Sequence, residues 1–208
     1  MLNNPKLFPL LLLQKQLLRQ CNYPLVLSKG APMTRYHPVL VVLHWLLAAM
    51  IIGGLVVGGQ ILAEMPNADT GKIFALRIHM GAGVAILVLM LVRLVTRFVS
   101  RKPPHATTGN ATLDRVGVWT HWALYGLVFL VIASGVSISL LAGLPDIVFF
   151  GSGAPLPETF DDLAPRVAHG ILTKLLAVLI VLHIAAALYH QFGKRDGLFG
   201  RMWFGDRG

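Results

Sequence analysis

The sequence predicts an all-α integral membrane protein, a four-helix bundle with both termini in the cytoplasm. Three observations predict it. The 208 residues are 55% hydrophobic and only 13% charged, about half the charged share of a soluble domain, and the mean hydropathy is +0.68. Four apolar stretches, at about residues 39–62, 73–98, 117–142 and 167–190, each reach the ~20 residues that a spanning helix needs. The basic residues then sort to alternate ends of those stretches.

Taken in order, the first stretch follows Arg35 and the second runs into Arg93, Arg97, Arg101 and Lys102. The third follows Arg115, and the fourth leads into Lys194, Arg195, Arg201 and Arg207. All of these fall on one side if the chain starts there. The opposite side holds only Lys72, Arg77, Arg166 and Lys174, with the acids Asp69, Asp146, Glu158, Asp161 and Asp162. Positive residues near helix ends stay inside, so the richer side is cytoplasmic and the net charge of +9 is a topology signal, not a nucleic-acid footprint. The longest connection, about 143–166, carries Gly151, Gly153, Pro155 and Pro157 and little periodicity, leaving no room for a soluble domain. From residue 33 to 208 the chain reads as one transmembrane domain.

Residues 1–32 read differently. Leu7–Leu13 is a short apolar run followed by Lys15 and Arg19. It reads either as a signal h-region without a convincing cleavage site or as the product of an upstream start, with Met33 the natural initiator. The single cysteine, Cys21, excludes a disulfide framework, a thiolate metal cluster and a Cys-x-x-Cys-His haem attachment.

Four histidines, His44, His79, His169 and His183, lie one or two to a span inside these apolar stretches. An imidazole in hydrocarbon must pair or coordinate, so its default reading is functional. His44 and His183 fall near the inner face, within a few Å of one level at 1.5 Å per residue. His79 and His169 enter from the outer face and form a second level. On the fourth span, fourteen residues separate His169 from His183, nearly the same face and ~21 Å apart along the axis. Two stacked ligand pairs suit haem, whose iron takes one axial ligand from each side of a disc. A zinc or copper cage would need three or four ligands converging at one point. Without a thioether bond the haem is b-type, held by ligation and packing.

The same fourteen-residue step links His44 to Gly58 and His121 to Gly135. Those glycines either admit a flat macrocycle at the outer level or serve ordinary helix packing, as Gly53, Gly54 and Gly59 do in the same span. His121, in Thr120-His121-Trp122, echoes Leu43-His44-Trp45 and is a supporting residue or a substitute inner ligand. His190, seven residues past His183, suits a propionate, a quinone carbonyl or interfacial water. His37 and His105 read as solvated loop residues. Arg93 and Arg97 either pair with haem propionates or anchor the inner face.

From Met33 onward the chain resembles the bacterial cytochrome b561 family, whose members include a membrane-bound superoxide oxidase. The resemblance rests on Leu43-His44-Trp45, Arg77-Ile78-His79-Met80-Gly81, Val88-Leu89-Met90-Leu91-Val92-Arg93-Leu94, Ala168-His169-Gly170 and Leu182-His183-Ile184-Ala185-Ala186-Ala187-Leu188-Tyr189-His190. It implies a multi-pass protein of the bacterial cytoplasmic (inner) membrane with two haem b groups, one iron held by His44 and His183 and the other by His79 and His169. It also implies ubiquinone as electron acceptor and superoxide as outer-face donor. Arg77, Arg166 and Lys174 near the outer level then become candidates for steering that anion inward, against the opposing charge of the acidic loop. Two rivals remain open: a cytochrome b anchor and electron conduit for a separate dehydrogenase or hydrogenase, and a histidine-lined metal or proton transporter without haem.

Overall fold

The computed structural model describes residues 35–101, 103 and 109–205. Residues 1–32 with Cys21, and also Lys102, His105 and Arg207, lie outside the described residues. The described chain is helical, with no strand among the described residues. Helix α1 (Pro38–Val56) continues through a π-helical turn, Val57–Leu62, and is followed by α2 (Lys72–Val99) and α3 (Ala111–Leu141). A short α4 (Leu144–Val148) precedes α5 (Ala164–Leu188), which runs on through a second π-helical turn, Tyr189–Lys194, and a 3-10 turn, Phe199–Met202. Four of these segments, Pro38–Leu62, Lys72–Val99, Ala111–Leu141 and Ala164–Lys194, are long and apolar enough to cross a membrane. The protein is a four-helix membrane bundle.

The helices outrun the apolar stretches that announce them. α3 starts at Ala111, six residues before its apolar run, because Asn110 caps it: the side chain accepts from the N–H of Thr112 and of Leu113. Asp114 in that first turn meets the positive end of the helix dipole. Such a polar turn lies in the headgroup region and is invisible to hydropathy. α5 likewise starts at Ala164 with a proline in its first turn, where the missing N–H costs nothing. His37 is exposed just before α1, and its Nδ1 accepts from Val39 N at 3.3 Å and caps that helix.

Leu47 of α1, Ile86 and Met90 of α2, Tyr125 and Val128 of α3 and Leu176 of α5 form the central core. Val95, Leu140, Val181 and other large apolar side chains point outward and are exposed. For a membrane bundle this outward face is the lipid-facing one, and it drives no association by itself.

The two ends of the described chain meet. Arg35 Nη1 donates to Phe204 O at 2.6 Å, Tyr36 N to Arg201 O at 3.1 Å, and Trp45 Nε1 to Met202 O at 2.9 Å. This terminus end of the bundle also carries the connection between α2 and α3. At the opposite, loop end, Leu76 packs with Leu144 and Val148, joined by Leu62, Met80, Leu156 and Phe160. Three polar side chains stitch that cap. Lys72 Nζ donates to Leu62 O and Met65 O, satisfying carbonyls left over where α1 ends. Asn67 Nδ2 donates to Pro157 O, and Arg77 Nε donates to Val148 O.

Candidate functional site

The bundle brings the four intramembrane histidines together as two pairs. Near the terminus end, His44 of α1 faces His183 of α5, with ring centroids 6.4 Å apart and planes at 80°. Nearer the loop end, His79 of α2 faces His169 of α5, at 6.3 Å and 78°. These separations carry chemical meaning. A metal ion about 2.0–2.1 Å from one nitrogen of each of two opposed imidazoles, each nitrogen about 1.1 Å from its ring centre, sets the centres about 6.3 Å apart. Both pairs therefore have the spacing at which two imidazoles would hold one metal ion between them. Among the described residues no group of three or more His, Cys, Asp or Glu side chains converges as a metal cage.

The surroundings fit the same group. His169 Nδ1 lies 3.1 Å from Val131 O, a carbonyl that can only accept, so Nδ1 carries the hydrogen and Nε2 keeps its lone pair. Ser134 Oγ, 3.0 Å from that nitrogen, itself donates to Val131 O. A ligating histidine is oriented in this way by what its other nitrogen touches. Ser134 carries no sequence signal of its own beyond lying next to Gly135. His79 Nδ1 is buried with no hydrogen-bond partner.

Gly58 and Gly135 sit beside this second pair. A Cβ on Gly58 would lie 3.1 Å from His79 Cε1, and one on Gly135 would lie 3.3 Å from His169 Cε1. Nothing lies within 4 Å of a Cβ on Gly53, Gly54 or Gly59. The two glycines reached by the fourteen-residue step are thus distinguished from their neighbours by a close approach to the loop-level imidazoles.

His121 of α3 joins the terminus-end level. Its ring centroid is 5.3 Å from that of His183, too short for an ion between the rings by the same arithmetic. Its Nδ1 donates to Gly117 O at 2.7 Å, one turn back. His190 pairs with Asp196, Nδ1 to Oδ2 at 2.5 Å, beyond the terminus-end level. Arg93 is buried, 8% exposed, and donates from Nη1 to Leu40 O at 2.6 Å. Arg97 lies over the rings of Trp122 and Tyr125 at 5.5 and 5.9 Å.

The three steering candidates fare differently. Arg77 is exposed, although its Nε is committed to Val148 O. Arg166 lies 3.8 Å from Asp161, which offsets part of its charge. Lys174 is exposed five residues beyond His169 on α5, about 140° around the helix from that ligand face. The structure does not bring Lys174 to the loop-level pair.

Residues 35–205 match the family model described as prokaryotic cytochrome b561. The chain is 28% identical over 174 residues to cytochrome b561 homolog 2 of Escherichia coli (strain K12), covering 81% of this chain and 90% of that protein. It is 26% identical over 174 residues to a cytochrome b562 of Cereibacter sphaeroides, covering 80% of this chain and 94% of that one. Over 177 residues it is 27% identical to a probable superoxide oxidase CybB of Yersinia pestis, covering 84% and 98%.

Proposed function

We propose that this chain, which belongs to the prokaryotic cytochrome b561 family of haem b electron-transfer membrane proteins, binds two b haems and couples superoxide oxidation to quinone reduction. In this reading His44 and His183 hold one haem and His79 and His169 the other. The observation that carries it is the equal, near-perpendicular spacing of the two histidine pairs, 6.4 and 6.3 Å. When bound, haem b supplies one-electron redox chemistry at its iron, tuned by axial ligation, burial and hydrogen bonds to the ligands.

The protein's own residues supply the rest. Val131 and Ser134 fix the tautomer and plane of His169. Gly58 and Gly135 leave room beside the loop-level rings. The apolar cap built on Leu76, Leu144 and Val148 closes the loop end of the bundle, and Arg77 with Arg166 gives its rim a positive charge that attracts an anion. Two superoxide anions each give up one electron and leave as dioxygen. The quinone takes those two electrons and two protons and leaves as quinol. In this reading His190, held by Asp196 near the terminus end, is the imidazole that passes protons to the quinone. The likeness to a protein named a probable superoxide oxidase supports the choice of donor. The prokaryotic family supports a bacterial membrane and the positive-inside rule supports both termini in the cytoplasm; in this reading the membrane is the inner one and the working domain is 33–208.

Purified protein is expected to hold two haems per chain, extractable by acidified organic solvent, and to be reduced by superoxide and reoxidised by a ubiquinone analogue. A single haem, or haem that stays with the polypeptide, would overturn the cofactor assignment. Two haems that superoxide leaves oxidised would hand the function to an electron conduit for a separate dehydrogenase or hydrogenase.

A further inference from the structure

Arg93 sits where an arginine is costly. It is buried on α2, six residues before Val99, about 9 Å short of that helix end. Its one hydrogen bond to the backbone goes to Leu40 O, a neutral acceptor on α1. Among the described residues no carboxylate lies within ion-pair distance of it. Arg97, one turn further on, stacks on Trp122 and Tyr125 and adds a second positive charge to the same corner. A guanidinium at membrane depth is normally paired, and a buried charge without a partner is strongly unfavourable.

A second unsatisfied group lies beside it. The Tyr125 hydroxyl is buried beside Arg93, whose guanidinium is placed to donate to its oxygen, while its own O–H finds no acceptor. Arg93 also lies near enough to His44 and His121 for its charge to act on both. The corner therefore offers a planar fork of N–H groups and a phenolic O–H, all donors, beside the terminus-end histidines. What satisfies such a set is an acceptor with two oxygens and a negative charge. An arginine serving as a headgroup anchor would extend into the interface, which the burial of Arg93 contradicts.

We propose that Arg93 and Tyr125 seat a propionate carboxylate of the haem held by His44 and His183. The assignment rests on the two-haem reading above. The carboxylate supplies the missing counter-charge of Arg93 and an acceptor for Tyr125, so loaded protein has no orphaned charge at this level. Leu40 O remains the brace that holds the guanidinium in place.

Holoprotein in detergent provides the test, with haem counted first and both midpoints then titrated from about pH 5 to pH 8. Arg93→Leu is expected to keep two haems while one midpoint falls, because a lost cation favours the ferric state. That midpoint should also acquire a slope with pH, since an unpaired propionate takes up a proton when the haem is reduced. Tyr125→Phe should give a smaller change of the same kind, and Arg93→Lys should restore the pH-independent midpoint. Arg97→Leu removes the same charge nearby and should lower the midpoint without the slope. If Arg93→Leu fails to load, Tyr125→Phe and Arg93→Lys still report through the slope. Two haems with unchanged midpoints and slopes in these variants would reduce Arg93 to a brace on Leu40 O and end the proposal, leaving the two-haem reading intact. Equal shifts of both midpoints would end it too. A wild-type protein without two haems would instead bring down the parent reading, and this proposal with it.

Discussion

At Gly58 and Gly135 one hydrogen atom in place of a methyl group keeps two imidazoles where they are. A Cβ at 3.1 Å from His79 or 3.3 Å from His169 is closer than ordinary contact between carbons, about 3.5–4.0 Å. Gly58→Ala and Gly135→Ala should therefore be tolerated with a shifted spectrum of one haem, the rings giving by a few tenths of an ångström. Gly58→Leu and Gly135→Leu should lose that haem while the other stays. Haem stoichiometry and low-temperature spectra of the four variants check this, and equal loss of both haems would point to collapse of the bundle instead. These glycines were legible from the fourteen-residue step, although their equal claim as packing residues was not resolvable without coordinates. His44 and His121 pose the complementary case. Both neighbour His183, at 6.4 and 5.3 Å, and only the longer distance would leave room for a metal ion between the two rings. His44→Ala and His183→Ala should remove the same haem, and His121→Ala should leave its low-spin spectrum in place. The reverse result would exchange the two residues. What could not be read at this scale was commitment: nothing in the sequence says that Arg77 spends its Nε on Val148 O or that Ser134 reaches His169.

Elements were legible where hydropathy speaks and illegible where caps and aromatics do. The four spans follow from apolar length, but the first turns of α3 and α5 are set by Asn110 and by a proline. The C-terminal segment left no periodic signal at all. It is held by Trp45, which donates to Met202 O and meets Phe199 and Trp203 edge-on at 6.0 and 5.6 Å. Asp196 starts this strap, accepting from Leu198 N at 3.1 Å and from His190. Slight desolvation raises the Asp196 carboxyl, but the hydrogen bonds from His190 and Leu198 and the charges of His190 and Lys194 outweigh it and hold it below the ordinary carboxylate range. A carboxyl depressed in the folded state stabilises it fully above the unfolded value, about pH 4, and loses that contribution as pH falls through the folded one. The strap should accordingly loosen only below about pH 4 in the wild type. Asp196→Asn should loosen it at every pH. Acrylamide quenching of tryptophan fluorescence, with Trp119 and Trp122 replaced by Phe, follows the change. A strap equally tight in Asp196→Asn would assign its hold to Arg35, Tyr36 and Trp45.

For the whole molecule, charge sorts along the bundle axis. Arg35, Arg93, Arg97, Arg101, Arg115, Lys194, Arg195 and Arg201 lie toward the terminus end with Asp114 and Asp196, and the loop end carries Asp69, Asp146, Glu158, Asp161 and Asp162 with Lys72, Arg77 and Arg166. Of those three cations Lys72 is buried as a cap on α1, so the loop-end rim presents Arg77 and Arg166. If these two steer superoxide, its reaction with the protein should be fast and should slow as ionic strength rises, since screening shortens to ~8 Å near physiological salt. Arg166→Ala and Arg77→Ala should each lower the rate constant about two- to threefold at low salt, with the difference vanishing at high salt. Lys174→Ala is the built-in control: its side chain lies off the ligand face, so the rate constant should hold while insertion or stability changes. Asp161→Asn should act the other way, because it frees Arg166 from the carboxylate 3.8 Å away. Stopped-flow reduction across a salt series distinguishes the cases. Rates that ignore salt and all four substitutions would remove steering and leave superoxide to arrive by diffusion alone. A fall confined to Lys174→Ala would place the entry path on the lipid-facing side of α5, between that helix and the surrounding bilayer.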